Sequence, residues 1–523
     1  MKLDRLVLGT SLCAALVGGA ASPGCLRPAV GLAEISLEEH GFDFDPYDVT
    51  TGFAGDQTVL TGSILGGPVE ELVTLSVDAD NDRLLRVYAF TSGAWTQELD
   101  TTLPPEVSFV DVVEIGGHDR LVTFEPGRLN WFDPESETNR LLLRVDTDLN
   151  HLRRRHIPHL DISLDVNGDD RDDLLVPDIG GFWVIIQLES GAFADPVKLG
   201  PPFDMARIHE ADGYRHVPWA HGRVHSFDYD RDGRSDLVYW DRDHFEVHLQ
   251  DERGLFSTLT RTFTTDVPFD SDDRASLAAP HHIRRRRRDS DLPGDKAGRV
   301  LHSLTDVDDD GVADLVIFSL KIESMWSVHS TYEVHLGAPG PDGGTVFARE
   351  IATAIHSEGI PFGLEPQGFD QNPQLDVLFT TLDLGLGMIT RGLLTRSVSL
   401  NLGFYLMDGG VYPDSPQVER RIKAHAPGET GKKGIHFPSV LIGDVNGDRL
   451  SDLLVQRGRD ELRVYVGVAG PELFARRPRR VSVSMPTEEY TWLVDLNQDG
   501  KQDILMHHPS RTEPHRITTL IAR

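Results

Sequence analysis

The segment from Asp306 to Asp314 reads Asp-Val-Asp-Asp-Asp-Gly-Val-Ala-Asp, and the same nine-residue pattern recurs four more times along the chain. Oxygen-bearing side chains occupy positions 1, 3, 5 and 9 of every copy, and a glycine stands at position 4 or 6, where the backbone must turn sharply. An apolar run follows each copy at once. The other copies are Asp165–Asp173, Asp228–Asp236, Asp444–Asp452 and Asp495–Asp503. A pattern repeated in register indicates one structural unit built several times.

Calcium is the cation that these acidic loops predict. Ca²⁺ takes six to eight oxygen ligands at ~2.3–2.6 Å, and alternate residues of a curled loop direct their side chains to a common centre. The carbonyl of position 7 adds a ligand, and the acid at position 9 completes the shell. Mg²⁺ prefers to keep several waters, and zinc prefers nitrogen or sulfur ligands. About five Ca²⁺ sites are predicted, with the ligands Asp165, Asn167, Asp169, Asp173, Asp228, Asp230, Asp232, Asp236, Asp306, Asp308, Asp310, Asp314, Asp444, Asn446, Asp448, Asp452, Asp495, Asn497, Asp499 and Asp503.

The loops do not match an EF-hand, although they share its first five positions. An EF-hand needs Glu at position 12 and a helix on each side. Position 12 is Tyr239 in the second loop and Ile317 in the third, and the flanking runs have the short apolar alternation of strands. An acidic turn that binds nothing is the alternative for any single copy, because Asp, Asn and Gly favour turns by themselves. Five copies in register favour the metal.

Short apolar runs recur in a fixed order around each loop. In one unit Val224–Phe227 precedes the loop, Leu237–Trp240 follows it, and Glu246–Leu249 and Gly254–Phe256 come next. Four short antiparallel strands per unit form the blade of a β-propeller. The loops and strands resemble FG-GAP/VCBS repeats, the family that builds the integrin α-subunit headpiece and many bacterial surface proteins. The resemblance covers nearly all of residues 50–523 and implies Ca²⁺ in the loop between the first and second strands of a blade.

Three weaker copies keep the strands and lack the full ligand set: Glu71–Leu75, Asp111–Phe124 and Asp370–Asp376. Counted from Asp370 as position 1, the last of them has no acid at position 5, and we assign no metal to any of the three. Five strong and three weak units predict an all-β propeller of eight four-stranded blades. Seven blades is the alternative, if the first weak unit only supplies a closing strand. The last unit lacks a fourth strand, which a strand within residues 40–62, such as Gln57–Leu60, is expected to supply.

Residues 1–24 resemble a secretory signal peptide, because a charged start precedes the apolar stretch Leu6–Ala21, which is shorter than the ~20 residues that span a bilayer. Cys25 stands where a bacterial lipoprotein carries its lipid, but Ser22 fits that signal poorly, so a lipid anchor stays open. Residues 25–49 are expected to form a linker. The sequence predicts an exported protein, either secreted, periplasmic or attached to the outer membrane or cell surface, with no transmembrane segment in the mature chain.

Charge and missing motifs favour a binding role. The chain has 51 Lys and Arg against 83 Asp and Glu, and its net charge of −32 disfavours nucleic acid and anionic membranes as partners. GxSxG, P-loop, HExxH and post-strand GxGxxG motifs are missing from the sequence, so we assign no catalytic residue. We expect structural Ca²⁺ and a glycan or protein ligand met by loops of an adhesion module. A polysaccharide lyase and an envelope-complex scaffold subunit are the alternatives.

Two insertions interrupt the repeats, at residues 263–298 and 381–398. The first contains five consecutive arginines, Arg284–Arg288, and a second basic cluster lies at Arg153–His156. Either cluster could bind a polyanion, but a solvated loop paired with nearby Asp residues is the preferred interpretation. The second insertion is apolar and rich in Gly, and core packing is preferred to a partner surface.

Overall fold

The structure is a computed structural model that describes residues 42–52, 54–147, 156–201, 215–216, 224–270, 296–324, 327–370, 372–382, 397–425, 438–486 and 490–523. Several predictions made above lie outside these residues. They are the signal peptide, the lipidation of Cys25, the two arginine clusters Arg153–Arg155 and Arg284–Arg288, and most of both insertions.

The described residues form an all-β propeller of eight blades, as the repeat count predicts. They contain 36 strands, β1–β36 in chain order, and each blade is a sheet built on four antiparallel strands. No helix in the described part of the chain is long and apolar enough to cross a lipid bilayer.

The first four blades run from Gln57 to Phe263. Blade I comprises β2 (Gln57–Gly62), β3 (Glu71–Val77), β4 (Arg83–Thr91) and β5 (Ala94–Leu103); blade II, β6 (Phe109–Ile115), β7 (His118–Glu125), β8 (Arg128–Asp133) and β9 (Thr138–Arg144); blade III, β11 (Ser163–Leu164), β12 (Asp173–Asp178), β13 (Gly181–Ile185) and β14 (Val197–Leu199); and blade IV, β16 (His225–Phe227), β17 (Asp236–Asp241), β18 (His244–Gln250) and β19 (Phe256–Phe263). Two short strands, β10 (His159–Leu160) and β15 (Arg215–His216), extend blade II in parallel beside β6.

The last four blades complete the ring. Blade V comprises β20 (Lys296–Thr305), β21 (Asp314–Ser324), β22 (Ser327–His335) and β25 (Thr353–Glu358), with an added hairpin of β23 (Gly337–Pro339) and β24 (Thr345–Phe347); blade VI, β26 (Ile360–Pro366), β27 (Val377–Leu382), β28 (Ser397–Tyr405) and β29 (Val418–His425); blade VII, β30 (Val440–Gly443), β31 (Asp452–Arg457), β32 (Glu461–Tyr465) and β33 (Arg479–Ser482); and blade VIII, β34 (Thr491–Val494), β35 (Asp503–His508), β36 (Arg516–Ala522) and β1 (Phe44–Thr50).

The burial of the strands follows their order within a blade. First strands of neighbouring blades contact one another, as β2 contacts β6 and β16 contacts β20, so they surround the centre of the ring. Second strands such as β12 are buried along their whole length, whereas the fourth strand β19 is mostly exposed. Apolar side chains on facing sheets therefore form the core between blades, where burial stabilises them by ~25 cal/mol per Å².

The ring closes through a strand from the opposite end of the chain. Strand β1 pairs antiparallel with β36, with Phe44 opposite Ala522 and Thr50 opposite Arg516. The closing strand lies within residues 40–62, as predicted, but Gln57–Leu60 was the wrong choice, because that segment begins blade I. The prediction of a linker over residues 25–49 is also wrong from Phe44 onward.

Two buried histidines support the segment that links β1 to blade I. His507 Nε2 lies 2.7 Å from His515 Nδ1, and His515 Nε2 donates to the carbonyl of Ser510 at 2.7 Å. The backbone N–H groups of Thr51 and Gly55 donate to the carbonyls of His515 and Ser510, both at 2.9 Å. Burial lowers the pKa of His507 to about 2, and the neighbouring His515 lowers it further.

Acid is expected to destabilise this part of the ring. The folded-state pKa of His507 is depressed below its ordinary value of 6.5, so the unfolded chain binds more protons as the pH falls below that value. The free energy of unfolding then falls by up to ~1.4 kcal/mol per pH unit for this histidine. The buried acids with raised pKa values act in the opposite direction between pH 7 and pH 5, so the contribution of His507 is measured as the difference between wild type and variant in urea unfolding at about pH 7 and about pH 5. On going from pH 7 to pH 5, the free energy of unfolding of His507→Gln should change in the stabilising direction relative to that of the wild type, and an equal change in both proteins would contradict the prediction.

Candidate metal centre

The five acidic loops lie at one edge of the ring. Each joins the first strand of a blade to the second, in blades III, IV, V, VII and VIII. Since the first strands of all blades run in the same direction around the centre, the loops share an edge, which we call the loop edge.

The acid at position 9 fastens each loop to its own blade. In blade V, Asp314 is fully buried; its Oδ2 accepts the N–H of Val307 at 3.0 Å and its Oδ1 accepts the N–H of Gly337 at 2.8 Å. One donor is always position 2 of the loop. The other is the second residue after the third strand or, in blades IV and VIII, the last residue of that strand. The other pairs are Val166 and Gln187 on Asp173, Tyr229 and Gln250 on Asp236, Val445 and Gly467 on Asp452, and Leu496 and Ala522 on Asp503.

Two blades without a full ligand set keep this acid. In blade VI, Asp376 accepts the N–H of Phe369 at 2.8 Å and that of Met407 at 2.9 Å. Position 9 is therefore Asp376, which makes Asp370 position 3 and leaves Gly368 at position 1. The sequence count that began at Asp370 was wrong by two residues, because the acidic spacing alone did not show which residue was bonded.

Glu71 takes the same place in blade I, and the sequence reasoning missed it. It is buried at the start of β3, where its Oε2 accepts the N–H of Leu65 at 3.3 Å. Burial raises the pKa of Glu71 to about 7, and the nearby Asp119 adds to the rise. An acid directly before the apolar run Leu72–Leu75 was the signal that could have identified it.

Three carboxylates converge in the loops of blades IV and V. In each loop, one oxygen from each of the acids at positions 1, 3 and 9 lies within 4.8 Å of the others; the two groups are Asp228, Asp230 and Asp236, and Asp306, Asp308 and Asp314. The position-3 acids each have an oxygen, Oδ1, that is buried and has no hydrogen-bond partner among the described residues. A buried anionic oxygen without a partner is costly, and a bound cation would remove the cost.

The loops of blades III, VII and VIII differ because position 3 is Asn. The amide nitrogen of this Asn donates to the position-5 carboxylate, at 3.0 Å in blades III and VII and 3.2 Å in blade VIII. An arginine at position 7 does not distinguish the two groups of loops, because Arg171 pairs with Asp169 in blade III and Arg234 pairs with Asp232 in blade IV. The difference is that the Asn at position 3 bonds to the position-5 carboxylate, whereas the position-3 acids of blades IV and V each keep a buried oxygen without a partner.

The acids at position 9 are electrostatically disfavoured in their charged form. Burial is the main cause, and the loop acids at positions 1, 3 or 5 add repulsion. The pKa is raised to about 8 for Asp173, to about 7 for Asp236, Asp314 and Asp503, and to about 6 for Asp452. A divalent cation among these carboxylates would reverse the effect.

The backbone of every acidic loop is bonded to the following blade. In blade V the carbonyl of Val307 accepts the N–H of Leu375 in blade VI, at 2.9 Å. In the other four loops the accepting atom is also a backbone carbonyl; the donors and acceptors are Ser226 Oγ and Val166, Thr345 Oγ1 and Tyr229, Gln502 N and Asp444, and Glu70 N and Leu496. The last of these bonds joins blade VIII to blade I. The loops therefore lie at the seams between blades.

The donor sets fit Ca²⁺. They consist of oxygen atoms only, several of them anionic, and two loops contain buried oxygens that lack a partner. The residues that would hold the ion are those predicted from the sequence. A cavity of about 10 Å³ between blades III and IV, lined by Leu175, Phe182, Tyr239 and His248 among others, has room for one water and is too small for a substrate.

Comparisons with known proteins concern the fold only. No family model matches the chain, and no curated protein sequence matches it. The chain is similar to an Agrocybe aegerita lectin described for recognition of non-reducing terminal N-acetylglucosamine, with 13% identity over 71% of this chain and 80% of that chain and a TM-score of 0.35. It is similar to the Dos1 propeller, with 9% identity over 91% and 95% and a TM-score of 0.39. It is similar to the V. cholerae biofilm matrix protein Bap1, with 12% identity over 90% and 88% and a TM-score of 0.34.

Proposed function

We propose that the chain is an exported, Ca²⁺-stabilised β-propeller of the FG-GAP/VCBS type that acts as a binding or adhesion module for a glycan or protein ligand at the cell surface. The observation that carries the calcium assignment is the pair of buried, partnerless Oδ1 atoms of Asp230 and Asp308 inside clusters of three carboxylates. The signal-like residues 1–24 support export, and Cys25 offers a lipid anchor.

Calcium has a structural role in this proposal. Bound Ca²⁺ supplies positive charge that neutralises the acids at positions 1, 3, 5 and 9 of a loop. The position-9 acid holds the loop to its own blade, and the loop carbonyls at positions 1 or 2 accept hydrogen bonds from the next blade. An ordered loop therefore stabilises the contact between two blades as well as its own blade. In this proposal the glycan or protein ligand binds at other surfaces of the ring.

Equilibrium dialysis of the exported form tests the calcium assignment. At about 2 mM Ca²⁺ we expect about five bound ions, with the strongest sites in blades IV and V. Asp230→Asn and Asp308→Asn should each remove one ion, because each variant loses the anionic oxygen that has no other partner. Asp370→Asn, at the same position in the loop of blade VI, is the matched control and should remove none. Fewer than one ion bound by the wild type would refute the assignment.

The ligand is tested separately, with calcium present. Saturable binding of the calcium-loaded protein to a glycan array or to cell-surface proteins, without any change in the bound molecule, would support the binding module. Formation of an unsaturated sugar product from uronate polymers would instead identify a lyase.

A further inference from the structure

A second cluster of metal-binding side chains lies away from the loop edge. It contains Asp241, His244 and Glu246, and one ligand atom from each residue lies within 4.8 Å of the other two. The cluster is at the hairpin between β17 and β18, the second and third strands of blade IV. A turn between these strands is at the opposite edge of the ring from the loop between the first and second strands.

Strand pairing places the three side chains together. Asp241 is opposite His244, and Tyr239 is opposite Glu246, two residues further along the same pair of strands. Alternate residues of a strand project from the same face, so Asp241, His244 and Glu246 share one face of the hairpin. Their side chains are 33%, 29% and 23% exposed, so the cluster is partly shielded and open to ions from solvent.

Two residues outside the cluster orient its donor atoms. Asp243 Oδ1 lies 2.9 Å from His244 Nδ1, an arrangement that places the proton on Nδ1 and leaves Nε2 on the side of Glu246 Oε1. The hydroxyl of Tyr239 donates to Glu246 Oε2 at 2.5 Å and leaves Oε1 toward His244. Tyr239 is itself buried, and its ring stacks on His248 with centroids 5.8 Å apart. Carboxylates that hold the second nitrogen of a histidine ligand are a regular part of metal sites.

The spacing of the donors also fits a shared ion. His244 Nε2 is 3.6 Å from Glu246 Oε1, which is longer than a hydrogen bond. Two ligands at ~2.0–2.1 Å from one tetrahedral Zn²⁺ lie ~3.4 Å apart. The pair is therefore close to the separation of two ligands of one ion.

We propose that Asp241, His244 and Glu246 hold a transition-metal dication, with Zn²⁺ as the representative ion. An imidazole nitrogen beside two carboxylates favours zinc and its neighbours in the first transition row over Ca²⁺, which takes oxygen ligands. Three protein ligands leave a fourth position open to water or to a small ligand. This site is independent of the calcium proposal, because it shares no residue with the acidic loops.

The competing explanation is a protonated His244 that forms ion pairs with the surrounding acids and binds no metal. Isothermal titration calorimetry of the exported protein with Zn²⁺ distinguishes the metal site from the ion pairs. The buffer contains about 2 mM Ca²⁺ so that the acidic loops are already filled. The wild type should bind one more equivalent of Zn²⁺ than His244→Gln. Asp241→Asn, Glu246→Gln and the orienting variant Asp243→Asn should each weaken that equivalent by about tenfold or more.

His329→Gln is the matched control. His329 is a partly buried histidine on β22 with the carboxylate of Glu323 at 4.0 Å, and its loss should leave the zinc stoichiometry unchanged. Co²⁺ gives a second readout, since a visible absorption band of four-coordinate cobalt should appear in the wild type and be lost in His244→Gln. The melting temperature in Ca²⁺ should be the same for all variants, which shows that they fold. Equal zinc stoichiometry and affinity in wild type and His244→Gln would overturn the proposal, as would a wild type that binds no zinc.

Discussion

Chelation of calcium is expected to lower the melting temperature of the propeller by roughly 3–9 °C. Extracellular calcium sites have Kd values of ~10⁻⁴–10⁻³ M, so at about 2 mM Ca²⁺ each site contributes about 0.6–1.8 kcal/mol by mass action. Five sites contribute roughly 3–9 kcal/mol. At an unfolding entropy of ~2.1 cal/mol/K per residue, a folded chain of this length changes its melting temperature by about 1 °C per kcal/mol. Calorimetry with EDTA and with Ca²⁺ measures the difference.

A single substitution sharpens this prediction, because its effect should change sign with calcium. In EDTA, Asp308→Asn is expected to raise the melting temperature slightly, because it removes a carboxylate whose pKa burial and the neighbouring Asp310 hold above its usual range. In Ca²⁺ the same substitution should lower it by about a fifth of the total calcium effect. Asp370→Asn should show no calcium-dependent difference. If Asp308→Asn behaved alike in both buffers, the loop of blade V would have no calcium to lose.

The second large effect is expected at position 9 of the loop that we do not assign to calcium. Asp376→Ala should destabilise the protein by about 2–5 kcal/mol, because it leaves the buried N–H groups of Phe369 and Met407 without their acceptor. The loss should be the same in EDTA and in Ca²⁺. Urea unfolding in the two buffers measures both values.

Asp314→Ala is the comparison in a calcium loop. It removes the same kind of bridge, between Val307 and Gly337, and also one of the three converging carboxylates. Its cost should therefore match that of Asp376→Ala in EDTA and exceed it in Ca²⁺. A calcium-dependent cost for Asp376→Ala would mean that blade VI binds an ion after all.

Much of the fold could be predicted because the sequence repeats one pattern of acidic loops and apolar runs. Each acidic loop marks the step from the first to the second strand of a blade, so five copies locate five blades, and the apolar runs after Glu71, Asp111 and Asp376 locate three more. The closing strand was harder to identify. Residues Phe44–Thr50 and Gln57–Gly62 both have strand character, and only the pairing of Phe44 with Ala522 shows which one closes the ring.

The spacing of the acids predicts the ligand positions, but it does not predict how the five loops differ from one another. Spacing alone does not show that Asn167 bonds to Asp169, or that Asp308 has an oxygen with no partner, because these depend on which side chain turns toward its neighbour. The cluster at Asp241, His244 and Glu246 was also missed. Its members are held together by the pairing of two strands, which a search for contiguous acidic loops does not detect.

The register of the closing strand determines how the ring responds to mechanical force. Phe44 and Ala522 are partners at the same end of a seven-residue antiparallel ladder. Tension applied between residue 42 and the residues after 522 would load the ladder one pair at a time, as in opening a zipper, and not all pairs together in shear. If the chain were anchored before residue 42 and pulled at its C-terminal end, the β1–β36 hydrogen bonds would therefore break one after another, and the ring would open at this pair of strands under a lower force than shear would require.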